Sequence, residues 1–180
     1  VALTDHNTSK NCRPFLKMAE AYGITAIPGM ELCTEEEVHV VCLFPDLYAA
    51  EDFDRYVYDR MLKIPNKEHI FGEQLIMNDE DELICNTSIN FESLYDLVEE
   101  RKGIMIPAHI DKNANSLLAN LGFIPPESRF TCAEIKDPSM TMELKKNNPY
   151  LEHCRIIHNS DAHYLEYINE PDYTIHAKSC

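Results

Sequence analysis

No run of about 18 apolar residues occurs anywhere in the sequence, which excludes a membrane-spanning helix. Nothing in it resembles a signal peptide, so the expectation is a soluble, cytoplasmic protein without a membrane partner. C-x-x-C pairs are missing too. The seven cysteines, at positions 12, 33, 42, 85, 132, 154 and 180, are odd in number and mostly sit inside apolar runs. That excludes a disulfide framework and a zinc-finger-like structural metal, and points to buried free thiols in a reducing compartment. Glycine is scarce, at five residues, and there is no low-complexity tract, so no linker is visible. Basic residues are also few: 16 stand against 31 acids, for a formal charge of −15. This balance argues against a general surface for nucleic acid or anionic membrane, and disfavours long nucleic acid as a partner. Bound cations could still make one pocket locally positive.

What is present is enough for one domain over residues 1–180, since 44% of the chain is hydrophobic. Its organising feature is a short apolar run that stops abruptly in chemistry. Residues 1–8 (VALTDHNT) end in an acid, an imidazole and an amide. The design recurs where residues 24–34 run into Glu31, residues 103–111 into His109, and residues 155–163 into Ser160-Asp161-Ala162-His163. Four buried strands delivering polar groups to one rim is the layout of a barrel or parallel sheet with its site at the strands' carboxyl ends.

Between these runs the helical period is clear. Residues 11–22 read as a helix with Pro14 in its first turn, Phe15, Met18, Ala19 and Tyr22 on one face, and Gly23 after it. Pro28-Gly29 is expected to break the second strand just before Glu31. Residues 38–44 form a strongly apolar strand with His39 near its start. The short acidic connection before it predicts a hairpin that brings Glu31 and His39 together. Residues 49–64 are expected to be helical. Residues 66–90 leave this rhythm and read as a hairpin excursion, with strands at 74–77 and 82–85. Asn90 then caps a helix over 91–102, followed by strand 104–108, a short helix 116–121, strand 130–135, helix 140–146 and a last strand 155–158. Alternation of this kind predicts an α/β fold with a mainly parallel sheet.

Asp161 and His163 are the sharpest pair, because residues two apart on an extended segment point the same way. Asp5 and His6 are adjacent and face opposite sides, so only one is a direct ligand; His6 is favoured, with Asp5 orienting a ligand or capping the turn. Together, Glu31, several histidines and an aspartate at strand ends make an oxygen and nitrogen donor set suited to Mn, Zn or Fe. Glu31 could bridge two ions about 3.5–4 Å apart.

At these residues the sequence resembles the PHP family, the polymerase and histidinol phosphatase superfamily of metal-dependent phosphoesterases. The matching pieces are residues 2–8 (ALTDHNT), 23–24 with 27–32 (IPGMEL), 38–40 leading to Leu43-Phe44, 106–111 (IPAHID) and 160–163 (SDAH). They follow the family's order along almost the whole chain. The resemblance implies a distorted seven-stranded (β/α) TIM-like barrel holding two or three divalent ions, commonly Mn, Zn or Fe, that hydrolyses phosphate esters. It makes His6, Glu31, His39, His109, Asp161 and His163 metal ligands, with Glu31 as the bridge, and Lys112 a phosphate-binding cation. The family's opening strand, with its His-x-His pair, has no counterpart here. The barrel is therefore expected to lack its first strand and helix, exposing a sheet edge that a second copy could cover as a homo-oligomer.

The chemistry implied is attack on phosphorus by metal-activated water, with His163 or Asp5 relaying a proton. Small phosphorylated molecules or nucleotides are the expected substrates, since the acidic balance opposes long polyanions. Two other readings stay open: a non-catalytic, metal-stabilised or regulatory module, favoured by the absent first motif, and a 3′–5′ exonuclease, disfavoured by charge.

Overall fold

Strand pairing in the computed structural model, which describes residues 1–65, 70–71, 74–75, 83 and 85–170, is mixed rather than mainly parallel. The largest sheet has the order β1-β2-β3-β6, from Ala2–Leu3 (β1), Ile27–Cys33 (β2), His39–Leu43 (β3) and Ile104–Pro107 (β6). β1 lies parallel to β2, but β3 is antiparallel to both of its neighbours. The reason is local: residues 34–38 close a tight hairpin, with Thr34 N–H donating to Val38 O at 3.0 Å, so β3 must return alongside β2. Cys132–Glu134 (β7) and Arg155–Ile157 (β8) pair in parallel as a separate ribbon beside β6. Among the described residues the sheets are not closed into a barrel, so the architecture is an open mixed α/β fold.

Pro28-Gly29 does not break β2. Phe44 N–H donates to Pro28 O at 2.9 Å, so the strand uses the proline's carbonyl and needs no proline donor. Gly29 lets β3 approach closely, because a Cβ there would sit 2.7 Å from Cys42 O. Glu31 is thus inside β2, two residues before its end.

Apart from the first, whose expected stripe of Phe15, Met18, Ala19 and Tyr22 buries only Ala19, the longer helices follow their apolar stripes. Cys12–Ala21 (α1) is shorter than expected and lies on the periphery, with Met18 and Tyr22 exposed. Leu47–Tyr58 (α2) is capped by Asp46, which accepts from Ala49 N–H at 2.9 Å, and buries Ala49, Ala50, Phe53 and Val57. Phe91–Glu99 (α3) is capped by Asn90 and buries Phe91, Leu94 and Val98 at the i, i+3, i+7 spacing. Short helices Leu117–Leu121 (α4) and Thr141–Asn147 (α5) complete the set. The main core lies between these helices and one sheet face, around Met30, Leu32, Val40, Phe44, Phe53 and Leu94. In the excursion, Ile70–Phe71 (β4) pairs antiparallel with Gln74–Leu75 (β5). The strands expected at 74–77 and 82–85 fall largely outside the described residues, as does everything from residue 171 on. Among the described residues no helix is long and apolar enough to cross a membrane.

Candidate metal centre

The other sheet face builds the site. Residues opposite one another across a ladder share a face, and so do residues two apart on one strand. Glu31 stands opposite Val41, and Val41 opposite Ile106. His39, two before Val41, therefore lies on Glu31's face, as does Ala108, two beyond Ile106. Val41, Ile106 and Ala108 pack with Cys132 and Ile157 into a small apolar floor. Above this floor the polar groups gather.

His6 arrives through a parallel bridge to Glu31. Glu31 N–H donates to Asp5 O at 3.0 Å, and Asn7 N–H donates to Glu31 O at 2.9 Å. Asn7 locks this arrangement: its Nδ2 donates to Leu83 O (2.7 Å) and Cys85 O (2.5 Å), and its Oδ1 accepts from Cys33 N–H (2.8 Å). His109 follows Ala108 and, in a regular strand, would face the opposite side. Its positive φ of 31° turns the ring back over the floor. Left-handed backbone in a residue other than glycine is costly and collects at functional sites.

The result is a buried carboxylate ringed by imidazoles. Glu31 Oε2 lies 3.2 Å from His6 Nδ1 and 3.6 Å from His39 Nδ1, and Glu31 Oε1 lies 3.4 Å from His109 Nε2. Glu31, His39 and His109 are each exposed by 7% or less. Burial acts to raise the Glu31 pKa, and is the largest single influence. The His109 and His39 imidazoles beside it, and the charges of His39 and His6, together outweigh it, holding the carboxyl well below its usual range. Burial lowers the pKa of His6, against the pull of Glu31, and so favours the neutral imidazole.

These groups fit a divalent ion. His6 Nδ1 is buried and close to Glu31 Oε2, yet makes no hydrogen bond among the described residues. An imidazole lone pair facing a carboxylate is repulsive unless a cation lies between them. Donors of His6, Glu31 and His39 all fall within 4.8 Å of one another. Ligands on a tetrahedral ion with bonds near 2.05 Å are about 3.3 Å apart, close to the spacings seen here.

The remaining expected site residues lie around this centre. The His163 ring is 5.7 Å from that of His6, with its Nδ1 3.0 Å from Asp161 O and its side chain 60% exposed. Asp161, also at positive φ (51°), is paired through Oδ2 with Lys112 Nζ at 2.6 Å. Lys112 thus serves as counter-ion to an expected ligand. The Asp5 carboxylate accepts from Asn11 Nδ2 at 2.8 Å, which ties it to the turn before α1.

One residue was missed. Glu134 is 2% exposed, and burial raises its pKa against a hydrogen bond from Asn159 and the charge of His109. It ends β7 just as Glu31 approaches the end of β2, so the strand-end pattern could have flagged it.

No protein-family model matches the sequence, and no curated protein matches it. Solved structures of similar fold include two endonucleases. The lesion-specific endonuclease PfuEndoQ from Pyrococcus furiosus aligns with a TM-score of 0.55 and 20% identity, over 78% of this chain and 32% of its own. Endonuclease Q in complex with a 27-mer duplex substrate, with an abasic lesion at the active site, aligns with a TM-score of 0.60 and 18% identity, over 91% of this chain and 40% of its own. The chain therefore spans about a third to two-fifths of the length of either neighbour. This likeness corrects the expectation that long nucleic acid is disfavoured, because a similar fold is carried by a protein bound to a DNA duplex. Net charge sums over the whole chain, whereas a duplex meets one face. Within the acidic total, Lys10 and Lys63 both lie over the Tyr58 ring, and Arg60 lies over Tyr56.

Proposed function

We propose that the chain is a divalent-metal-dependent phosphoester hydrolase, with the ion or ions held by His6, Glu31, His39 and His109 and reached from the side of Asp161 and His163. The observation that carries this reading is the buried Glu31 carboxylate with three imidazole nitrogens at 3.2–3.6 Å, one of them without a hydrogen bond among the described residues. What a divalent ion supplies when bound at such a site is Lewis acidity toward water and phosphoryl oxygen.

The chain's own residues do the rest. Glu31 remains anionic under burial because its histidines stabilise the charge, so it offers two ligand oxygens that more than one cation can share. His6, whose burial disfavours its charged form, would present a lone pair to a bound ion. His163 sits at the solvent edge of the cluster, where an exposed imidazole can exchange a proton with bulk water while its ring stays beside His6. Lys112, with its side chain 40% exposed at the rim, is placed to hold a phosphate oxygen once Asp161 takes a different counter-ion.

The ester itself is the finer part of the proposal. Likeness to proteins described as lesion-specific endonucleases supports phosphodiesters of nucleic acid, and the same chemistry serves small phosphorylated molecules and nucleotides. The test is hydrolysis by the chain loaded with Mn or Zn, offered duplex DNA with and without an abasic site, single-stranded DNA, nucleotides and a chromogenic phosphodiester. Turnover that EDTA abolishes and metal restores is expected. Stoichiometric metal with every substrate left intact would instead support the non-catalytic, metal-stabilised module.

A further inference from the structure

Glu134 is a fully enclosed acid for which the chemistry above has no role. Its position on β7, opposite Ile157 and two residues beyond Cys132, puts it on the face that carries the apolar floor. The charges it senses are those of His109, Glu31 and Asp161, which come from three different parts of the centre. Asn159 Nδ2 donates to its Oε2 at 3.3 Å, fixing one oxygen. The other, Oε1, is buried and has no hydrogen-bond partner among the described residues. A buried carboxylate oxygen without a donor is costly, and persists where something else makes use of it.

The complementary group comes from the segment that follows β6. His109 Nε2 faces Glu31 at 3.4 Å, while its Nδ1 is buried with no hydrogen-bond partner among the described residues. β7 runs beside β6, and Ile110 N–H donates to Glu134 O at 2.9 Å, so the backbone after His109 is tied to Glu134 itself. One orphaned atom accepts and the other, in the tautomer that leaves Nε2 free for a metal, donates. We propose that Glu134 is a positioning residue for His109: in the metal-loaded protein its carboxylate accepts the Nδ1–H hydrogen bond, fixing the tautomer and holding the Nε2 lone pair toward Glu31 and the ion. Ligating histidines ordinarily donate their second ring nitrogen to such an acceptor, and losing it costs about 10–100-fold in metal affinity. The inference rests on the metal centre proposed above.

The test combines zinc affinity with the protonation pattern of the ring. Long-range proton–nitrogen NMR on the zinc-loaded wild type is expected to show His109 protonated at Nδ1. Glu134→Leu, which removes the acceptor, is expected to weaken zinc binding by about 10–100-fold without lowering the thermal midpoint of the metal-free protein. Glu134→Gln keeps one acceptor oxygen and is expected to restore both tautomer and affinity in part. His109 protonated at Nε2 in the wild type, or zinc binding by Glu134→Leu within twofold of wild type, overturns the assignment while leaving the metal centre standing. Wild-type protein that binds no zinc overturns both.

Discussion

Replacing Glu31 by glutamine is the sharpest perturbation of the proposed centre, because it keeps the shape and removes the charge on which three imidazoles converge. Substitutions one shell away from a metal cost about 10–100-fold in affinity, so losing the carboxylate that faces His6, His39 and His109 costs at least the upper figure. Ligand binding stabilises the folded state by RT ln(1 + [L]/Kd), about 2.7 kcal/mol at 100 times Kd. For a chain of this size each kcal/mol moves the midpoint by about 2–4 °C, so metal raises the wild-type melting temperature by about 5–11 °C. At the same free metal the variant, bound about 100-fold more weakly, gains only about 0.4 kcal/mol, a rise of about 1–2 °C. Manganese is the appropriate ion, since thiols of the unfolded chain compete poorly for it. The assay is thermal denaturation across a manganese titration, read by circular dichroism. An equal rise in wild type and Glu31→Gln would refute the reasoning, because the ion would then bind elsewhere.

Three further outcomes follow from the same contacts. Asn7→Ala removes one buried and two partly buried hydrogen bonds, at 2.8, 2.7 and 2.5 Å, and is expected to cost about 3 kcal/mol in urea unfolding at roughly 1 kcal/mol per bond; a loss under about 1 kcal/mol would contradict its role in anchoring the His6 loop. Burial pushes the Cys33 and Cys154 thiols up to about 11, so at pH 8 only about one in a thousand is thiolate. Iodoacetamide should leave both unmodified until the protein is unfolded, as mass spectrometry of digests would report, and rapid native labelling would count against the packing. Finally, the Glu31 pKa is lower in the folded state than its ordinary 4.5. Its stabilising contribution is therefore complete above that pH and is lost as the pH falls below it. Metal-free wild type should lose stability below pH 4.5 more steeply than Glu31→Gln, and parallel acid unfolding curves would contradict this.

The centre was legible wherever an apolar run stops in a polar group. His6 and His109 stand at such points and Glu31 two residues before its strand ends, while the short link at residues 34–38 announced the hairpin that brings His39, first in the next strand, beside Glu31. Strand direction was less legible. Alternating strands and helices suggested parallel pairing, but a period of two carries no sense of direction, and the return of β3 sets both of its ladders antiparallel. Pro28-Gly29 looked like a break because those residues usually end strands; here one lends its carbonyl and the other makes room for Cys42. The pairing of Lys112 with Asp161 spans 49 positions and leaves no local trace. Glu134 has a strand-end position, yet only its burial separates it from an ordinary surface acid. Total charge argued against long nucleic acid, yet a similar fold is carried by a protein bound to a duplex, because charge summed over a chain does not describe any one face.

Whether Glu31 and its histidines share an ion is answered most directly by anomalous diffraction at the zinc edge from zinc-soaked crystals of the chain. The account predicts a peak within bonding distance, about 2.0–2.2 Å, of Glu31 and of at least two among His6, His39 and His109. Zinc found only at other residues, with these side chains bonded to one another and to solvent, would contradict it.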